Sequence, residues 1–229
     1  MLFNPHLPSE ITYAELDVFA ASNVQLTLLK EEQALLQTST SKIRYTEFAR
    51  GRTAARSALE KLGLPASPVL RLQGTRLPAW PKNIVGSISH CERCVVAVAA
   101  KQKHILALGV DVETIRPIRS GLLKKIATTA EREWAIENID ILTLFSAKES
   151  LYKAVFPLVK EHLGFQDVEF RRLSPSSQTT YSLHGTFLRP YGKFFNQGSE
   201  FLIQCIINNT SPVQNSGALL TICYIIKGT

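Results

Sequence analysis

The hydrophobic positions of this chain fall into two helical stretches set among strand-like runs. Over residues 46–62 the apolar positions recur at helical spacing, with Phe48, Ala55, Leu59 and Leu62 on one face. Gly63 and then Pro65 mark the stop. Arg52 and Arg56, one turn apart, fall at the edge of that face. Residues 65–89 are rich in Pro and Gly and read as loops around short strands. Residues 94–100 and 105–112 are strand-like, and the polar Lys101-Gln-Lys-His104 between them has hairpin length, which predicts that these two strands pair.

Beyond 113, Arg116-Pro117 breaks the chain. Thr128 and Glu131 have the spacing of a capping box, predicting a helix through about residue 139. A second helix follows and should stop at Pro157. Strand-like runs then come at 168–170, 181–188, 201–207 and 219–226, separated by Ser-, Asn- and Gly-containing turns. Helices and short strands without regular β-α alternation predict an α+β fold.

The second helix carries Phe145-Ser-Ala-Lys-Glu-Ser-Leu-Tyr-Lys153. Leu144, Leu151 and Val155 form an apolar stripe flanked by Phe145, Tyr152 and Phe156. Lys148 falls inside that arc, where an ammonium is costly unless it snorkels or meets an anion. Glu149 and Lys153 are an i,i+4 pair on the neighbouring face. In the strand Gly109-Val-Asp-Val-Glu113, Leu108, Val110 and Val112 share one face. Ala107, Gly109, Asp111 and Glu113 share the other, which predicts two carboxylates with open space in front of them. Hard cations such as Mg²⁺ take one or two carboxylates and fill the shell with substrate phosphates, whose charge nearby lysines also offset. The combination points to metal-assisted phosphoryl chemistry.

Gly109-Val-Asp-Val-Glu113 followed by Phe145-Ser-Ala-Lys-Glu-Ser-Leu-Tyr-Lys153 resembles the signature pair of Sfp-type 4′-phosphopantetheinyl transferases. Gly51-Arg-Thr-Ala-Ala-Arg56, Arg76-Leu-Pro-Ala-Trp-Pro81 and Gly86-Ser-Ile-Ser-His90 extend the likeness towards the family's enterobactin branch. The resemblance implies an enzyme that moves phosphopantetheine from coenzyme A to a carrier-protein serine, releasing 3′,5′-ADP. It further implies two similar subdomains, 1–102 and 103–229, related by a pseudo-twofold axis with the ligand between them. By the same likeness, Asp111 and Glu149 hold Mg²⁺, with Glu113 binding directly or through a water, and either Glu149 or a metal-bound water removes the serine proton. Lys148 and Lys153 neutralise the pyrophosphate. Arg52, Arg56, Arg76, Ser89 and His90 cradle the nucleotide phosphates, with Gly86, Ser87 and Ser89 forming a turn whose N–H groups and hydroxyls serve as an anion nest. Siderophore or other nonribosomal peptide synthesis is the implied setting.

The formal charge is +7 over 229 residues, without a run of six like charges or a basic-aromatic patch, so the excess fits an acidic carrier protein and not nucleic acid. Charge alone leaves open a non-catalytic basic module, and the carboxylates alone leave open a metal-dependent phosphohydrolase. The N-terminus lacks the features of a secretory signal and no apolar run reaches membrane-span length, giving the expectation of a cytoplasmic protein, monomeric and with reduced thiols. Cys91-Glu-Arg-Cys94 invites a zinc or redox role, but Cys205 and Cys223 stand singly in apolar segments and the motif feeds a strand, not a helix. His104 and His184 read as structural.

Overall fold

A computed structural model describes residues 2–19, 26–36, 40–75, 77–119, 121–173, 179–208 and 217–227. Arg76, one of the expected phosphate ligands, lies outside them. The chain is α+β and divides into two compact units, residues 1–108 with 226–229, and residues 109–225. Among the described residues, no helix is long and apolar enough to cross a membrane.

In the first unit, β1 (Ile11–Asp17), β4 (Ile84–His90) and β5 (Cys94–Lys101) form an antiparallel sheet in the order β1-β5-β4, and β2 (Leu70–Arg71) pairs with β3 (Pro78–Ala79). The central strand is Cys-Val-Val-Ala-Val-Ala-Ala, buried from Cys94 through Ala100, as a strand covered on both faces must be. Helix α2 (Lys42–Lys61) lies on one face, and its Ala54, Ala55, Ala58 and Leu59 pack with Ala14, Val95, Ala97 and Ala99. These small side chains let helix and sheet approach closely. The helix starts a turn before its apolar periodicity does, at the N-cap Ser41, whose Oγ accepts from the Arg44 amide at 3.3 Å. It ends as expected: Gly63 has φ +74°, and the Gly63 and Leu64 amides donate to the Glu60 and Leu59 carbonyls at 2.9 and 3.1 Å. The short α1 (Lys30–Gln33) precedes it.

Two expectations fail here. Residues 84–90 are a strand and not a turn, with Ser87 opposite Val98 and Ser89 opposite Val96, so the backbone is extended and lacks the curvature of a nest. Gly and Ser are poor strand formers, and cross-strand packing outweighs that local preference. The strands around Lys101–His104 do not pair either. β5 is flanked by β1 and β4, whereas β6 (Ile105–Thr114) pairs with β10 (Ala218–Ile226).

The second unit's sheet runs β6-β10-β9-β8-β7, with β7 (Val168–Arg172), β8 (Thr180–Phe187) and β9 (Glu200–Asn208) successively antiparallel and β10 antiparallel to β9. Burial alternates residue by residue along β8, the signature of a half-covered strand. Helix α3 is Leu122–Ile126 and α4 only Glu131–Trp134. The Thr128–Glu131 capping box forms, with reciprocal bonds of 2.7 and 3.3 Å, but the helix it opens is one turn long. A fresh start follows: Asp140 accepts from the Glu137 amide, and the Asn138 side chain bonds Arg116 O and Ile118 N, both at 2.7 Å. Helix α5 (Asn138–Val159) then runs through Pro157, correcting the expected stop. So near the end, the ring deletes one bond of the last turn without breaking the helix.

The space expected in front of Asp111 is filled by α5. A Cβ on Gly109 would lie 1.9 Å from Ser150 O and 2.7 Å from Ala154 N, both helix backbone that cannot swing aside. Gly109→Ala should therefore unseat strand from helix, lowering stability by about 3 kcal/mol or abolishing folding. Urea unfolding measures this directly, and a loss under about 1 kcal/mol would contradict so close a seating.

Candidate functional site

The close approach at Gly109 brings the polar residues of β6 and α5 together. Asp111, 4 % exposed, accepts from Lys153 Nζ at 2.6 Å on one oxygen and from Ser146 Oγ at 2.8 Å on the other. Ser146, Ser150 and Lys153 follow one another up the helix face that meets the strand. Thr221 of β10 donates to Ser146 O at 3.0 Å, and its hydroxyl lies 2.8 Å from Ser146 Oγ. Ser146 and Thr221 thus orient Asp111. Sequence reasoning missed both: Ser146 stood inside the quoted motif, and Thr221 has no local signal.

Glu149 is half-buried. Burial raises its pKa above the carboxylate range, the Lys153 charge opposes the shift, and the Asp111 charge adds to it. Asp111, Glu149 and Lys153 are therefore one electrostatic group. Because the folded protein holds the Glu149 proton above the pH at which the unfolded chain releases it, this group's contribution to stability is complete below about pH 4.3. It is lost as pH rises through the folded-state pKa. Metal-free Glu149→Gln should accordingly lose less stability than wild type over that window, compared by thermal unfolding across pH; parallel curves would contradict the burial.

Glu113 is half-buried, lies 4.0 Å from Arg116, and lines a 380 Å³ groove with Arg116, Arg119, Leu142 and Phe145. Among the described residues, no three His, Cys, Asp or Glu side chains are grouped as a metal cluster. The pair Asp111 and Glu149 still fits a hard cation that draws its other ligands from substrate phosphate.

Lys148 departs from expectation. It is 3 % exposed, and its ammonium donates to Glu131 at 2.7 Å, Ile126 O at 2.8 Å, Val168 O at 3.1 Å and Phe165 O. An ammonium with three hydrogens and four internal acceptors is not placed to meet a pyrophosphate. It lies in the apolar arc because it has found its anion in Glu131, itself fully buried. Beside it, Glu149 borders a pocket of 270 Å³ walled by Leu151, Tyr152, His162, Leu163 and Phe165.

In the first unit, Arg52 is 6 % exposed and stacked on Phe48 at 4.3 Å, with one N–H to Leu70 O at 3.0 Å and an Nε without a hydrogen-bond partner among the described residues. Burial lowers its pKa to about 10, Glu32 opposes this, and the charges of Arg71 and Arg44 add to it. A buried guanidinium with an unmet donor, beside two more exposed arginines, suits an anionic ligand. Arg44 and Arg71 join Arg52 only through the fold. Arg56 does not share this role: it is held in an internal ion pair with the fully buried Glu32 at 2.6 Å and also donates to Thr27 O. Ser89 is buried near the end of β4 and His90 exposed at its tip. Cys91 and Cys94 face each other beyond it with Sγ atoms 3.9 Å apart, while Cys205 and Cys223 are buried in β9 and β10, so the four thiols form no common site. His184 lies 3.3 Å from Glu200 on the neighbouring strand, a structural contact.

Two family models match the chain: 4′-phosphopantetheinyl transferase N-terminal domain over residues 31–100, and 4′-phosphopantetheinyl transferase superfamily over residues 107–205. The chain is 39 % identical over 150 residues to 4′-phosphopantetheinyl transferase Svp of Streptomyces mobaraensis, covering 62 % of this chain and 60 % of that protein. To PptT of Mycobacterium tuberculosis it is 37 % identical over 163 residues, 69 % of this chain and 70 % of that one. To enterobactin synthase component D of Escherichia coli K12 it is 34 % identical over 133 residues, 55 % and 61 % of the two chains. Asp111, Glu149 and Lys153 lie inside the second matched region and Arg52 inside the first, and on this evidence the chain belongs to the 4′-phosphopantetheinyl transferase superfamily.

Proposed function

We propose that this protein transfers the 4′-phosphopantetheine group of coenzyme A to a serine hydroxyl of an acidic carrier protein, acting as a monomer and releasing 3′,5′-ADP. The observation that carries the proposal is the Asp111–Lys153–Glu149 group beside a largely apolar pocket. Asp111 and Glu149 would hold Mg²⁺, with Glu113 reaching it directly or through a water, and the chemistry the ion supplies is neutralisation of the pyrophosphate as the phosphoanhydride bond breaks. Ser146 and Thr221 keep Asp111 in one orientation throughout. Glu149 is the candidate acceptor of the serine proton. Lys153, at 2.6 Å from Asp111, exchanges that carboxylate for the pyrophosphate and the departing nucleotide. The pocket walled by Tyr152 and Phe165 takes the pantetheine arm and keeps water from the reacting phosphate.

In this proposal Arg52, Ser89, His90 and Arg76 bind the nucleotide phosphates. The groove with Arg116 and Arg119 at its rim suits an acidic carrier. Likeness to enterobactin synthase component D supports a carrier of siderophore or other nonribosomal peptide synthesis.

Two measurements test the proposal. Release of 3′,5′-ADP should require apo carrier, whereas release without carrier would mark a hydrolase. By calorimetry, coenzyme A should bind about ten- to a hundredfold more tightly than 3′-dephospho-coenzyme A, and Arg52→Ala should erase most of the difference. Equal affinity of wild type for both would place the 3′-phosphate elsewhere.

A further inference from the structure

The residue before Glu149 on α5 makes more polar contacts than its surroundings require. Lys148 Nζ and Glu131 join at 2.7 Å in a fully buried pair. Glu131 uses its other oxygen to accept from the Phe170 amide at 2.8 Å, and the paired one also accepts from the Thr128 amide at 2.7 Å. Lys148 adds the carbonyls of Ile126, Phe165 and Val168. One ion pair thus ties α5 to the end of α3, the start of α4, strand β7 and the 163–168 segment. That segment supplies Leu163, Gly164, Phe165 and Val168 to the pocket that Glu149 borders.

Such a pair is a poor device for stability alone. Desolvating two charges offsets most of their attraction, and apolar residues of equal volume often stabilise a core as well or better. What the charges add is direction, since six hydrogen bonds, one within the pair and five to its surroundings, admit one rotation and one height of the helix. Glu149, about 100° further round the same turn, inherits both.

We propose that Glu131 and Lys148 are a positioning pair, setting the orientation of Glu149 and the facing pocket wall for divalent-metal binding and phosphoryl transfer. This rests on the transferase assignment above and gives roles to a residue the motif left unexplained, Glu131, and to one it assigned elsewhere, Lys148.

The test compares wild type, Glu131→Gln and the double variant Glu131→Leu/Lys148→Met. Each is measured by thermal unfolding, by electron paramagnetic resonance of Mn²⁺ binding with coenzyme A and no carrier, and by kcat with carrier. Glu131→Gln strands a buried ammonium and should lower Tm. The double variant removes both charges and should recover Tm, yet bind Mn²⁺ about ten- to a hundredfold more weakly and lose kcat by a similar factor. Recovery of Tm, Mn²⁺ affinity and kcat together would overturn the proposal, reducing the pair to a structural contact. If Glu131→Gln does not fold, the double variant decides alone. Should wild type transfer nothing to the carrier, the transferase assignment fails, and Mn²⁺ affinity in the double variant still decides whether the pair positions Glu149.

Discussion

Asp111→Asn should lower transfer by about a thousandfold while the protein stays folded. The amide keeps an acceptor for Ser146 Oγ, so the strand–helix seat at Gly109 survives. It loses the charge that pairs with Lys153 at 2.6 Å and that would bind the cation. Charge stabilisation by a bound metal amounts to several kcal/mol in the transition state, and a loss of ~4 kcal/mol is about three powers of ten in rate. The check is kcat at saturating coenzyme A and Mg²⁺, with circular dichroism confirming the fold. A rate within about tenfold of wild type would remove Asp111 from the chemistry.

The largest expected effect on stability lies away from the chemistry. Glu32 is fully buried, holds Arg56 at 2.6 Å, and accepts the amides of Leu29 and Val69, both at 3.0 Å. Glu32→Gln would leave the Arg56 guanidinium buried without its counter-charge, a defect that costs about 3–5 kcal/mol. Urea unfolding should show the midpoint falling accordingly. A loss below about 1 kcal/mol would mean that Arg56 is solvated and available to a ligand, restoring the role its position beside Arg52 suggested.

These two residues show what was legible in the sequence. The faces of Asp111 and Glu149 were readable because strand alternation and helical periodicity are local rules, whereas Gly109, read as leaving open space, is where α5 seats on the strand. Arg56 and Lys148 obeyed the same rules, yet the structure holds each in a buried ion pair that those rules did not reveal. Their anions, Glu32 and Glu131, lie 24 and 17 residues away, and nothing local reports such a pairing. The fold divides in the same way. Helix α2 and its glycine stop followed from periodicity, as did most strands of the second unit. The partners of β5 and β6 did not follow, because a four-residue polar link permits a hairpin locally while long-range packing chooses otherwise. Strand β4 was hidden by its Gly and Ser, residues that take strand geometry there because β5 lies beside them.

The central claim is that this chain moves phosphopantetheine onto a protein. Its most direct test is the intact mass of an apo carrier protein from a nonribosomal peptide synthetase, incubated with the purified protein, coenzyme A and Mg²⁺. The account predicts a gain of one phosphopantetheine group, located on a single serine by fragmentation, absent when Mg²⁺ is chelated and absent with Asp111→Asn. A carrier mass that stays unchanged across nonribosomal peptide, fatty-acid and polyketide carriers, with wild type folded and coenzyme A bound, would contradict it.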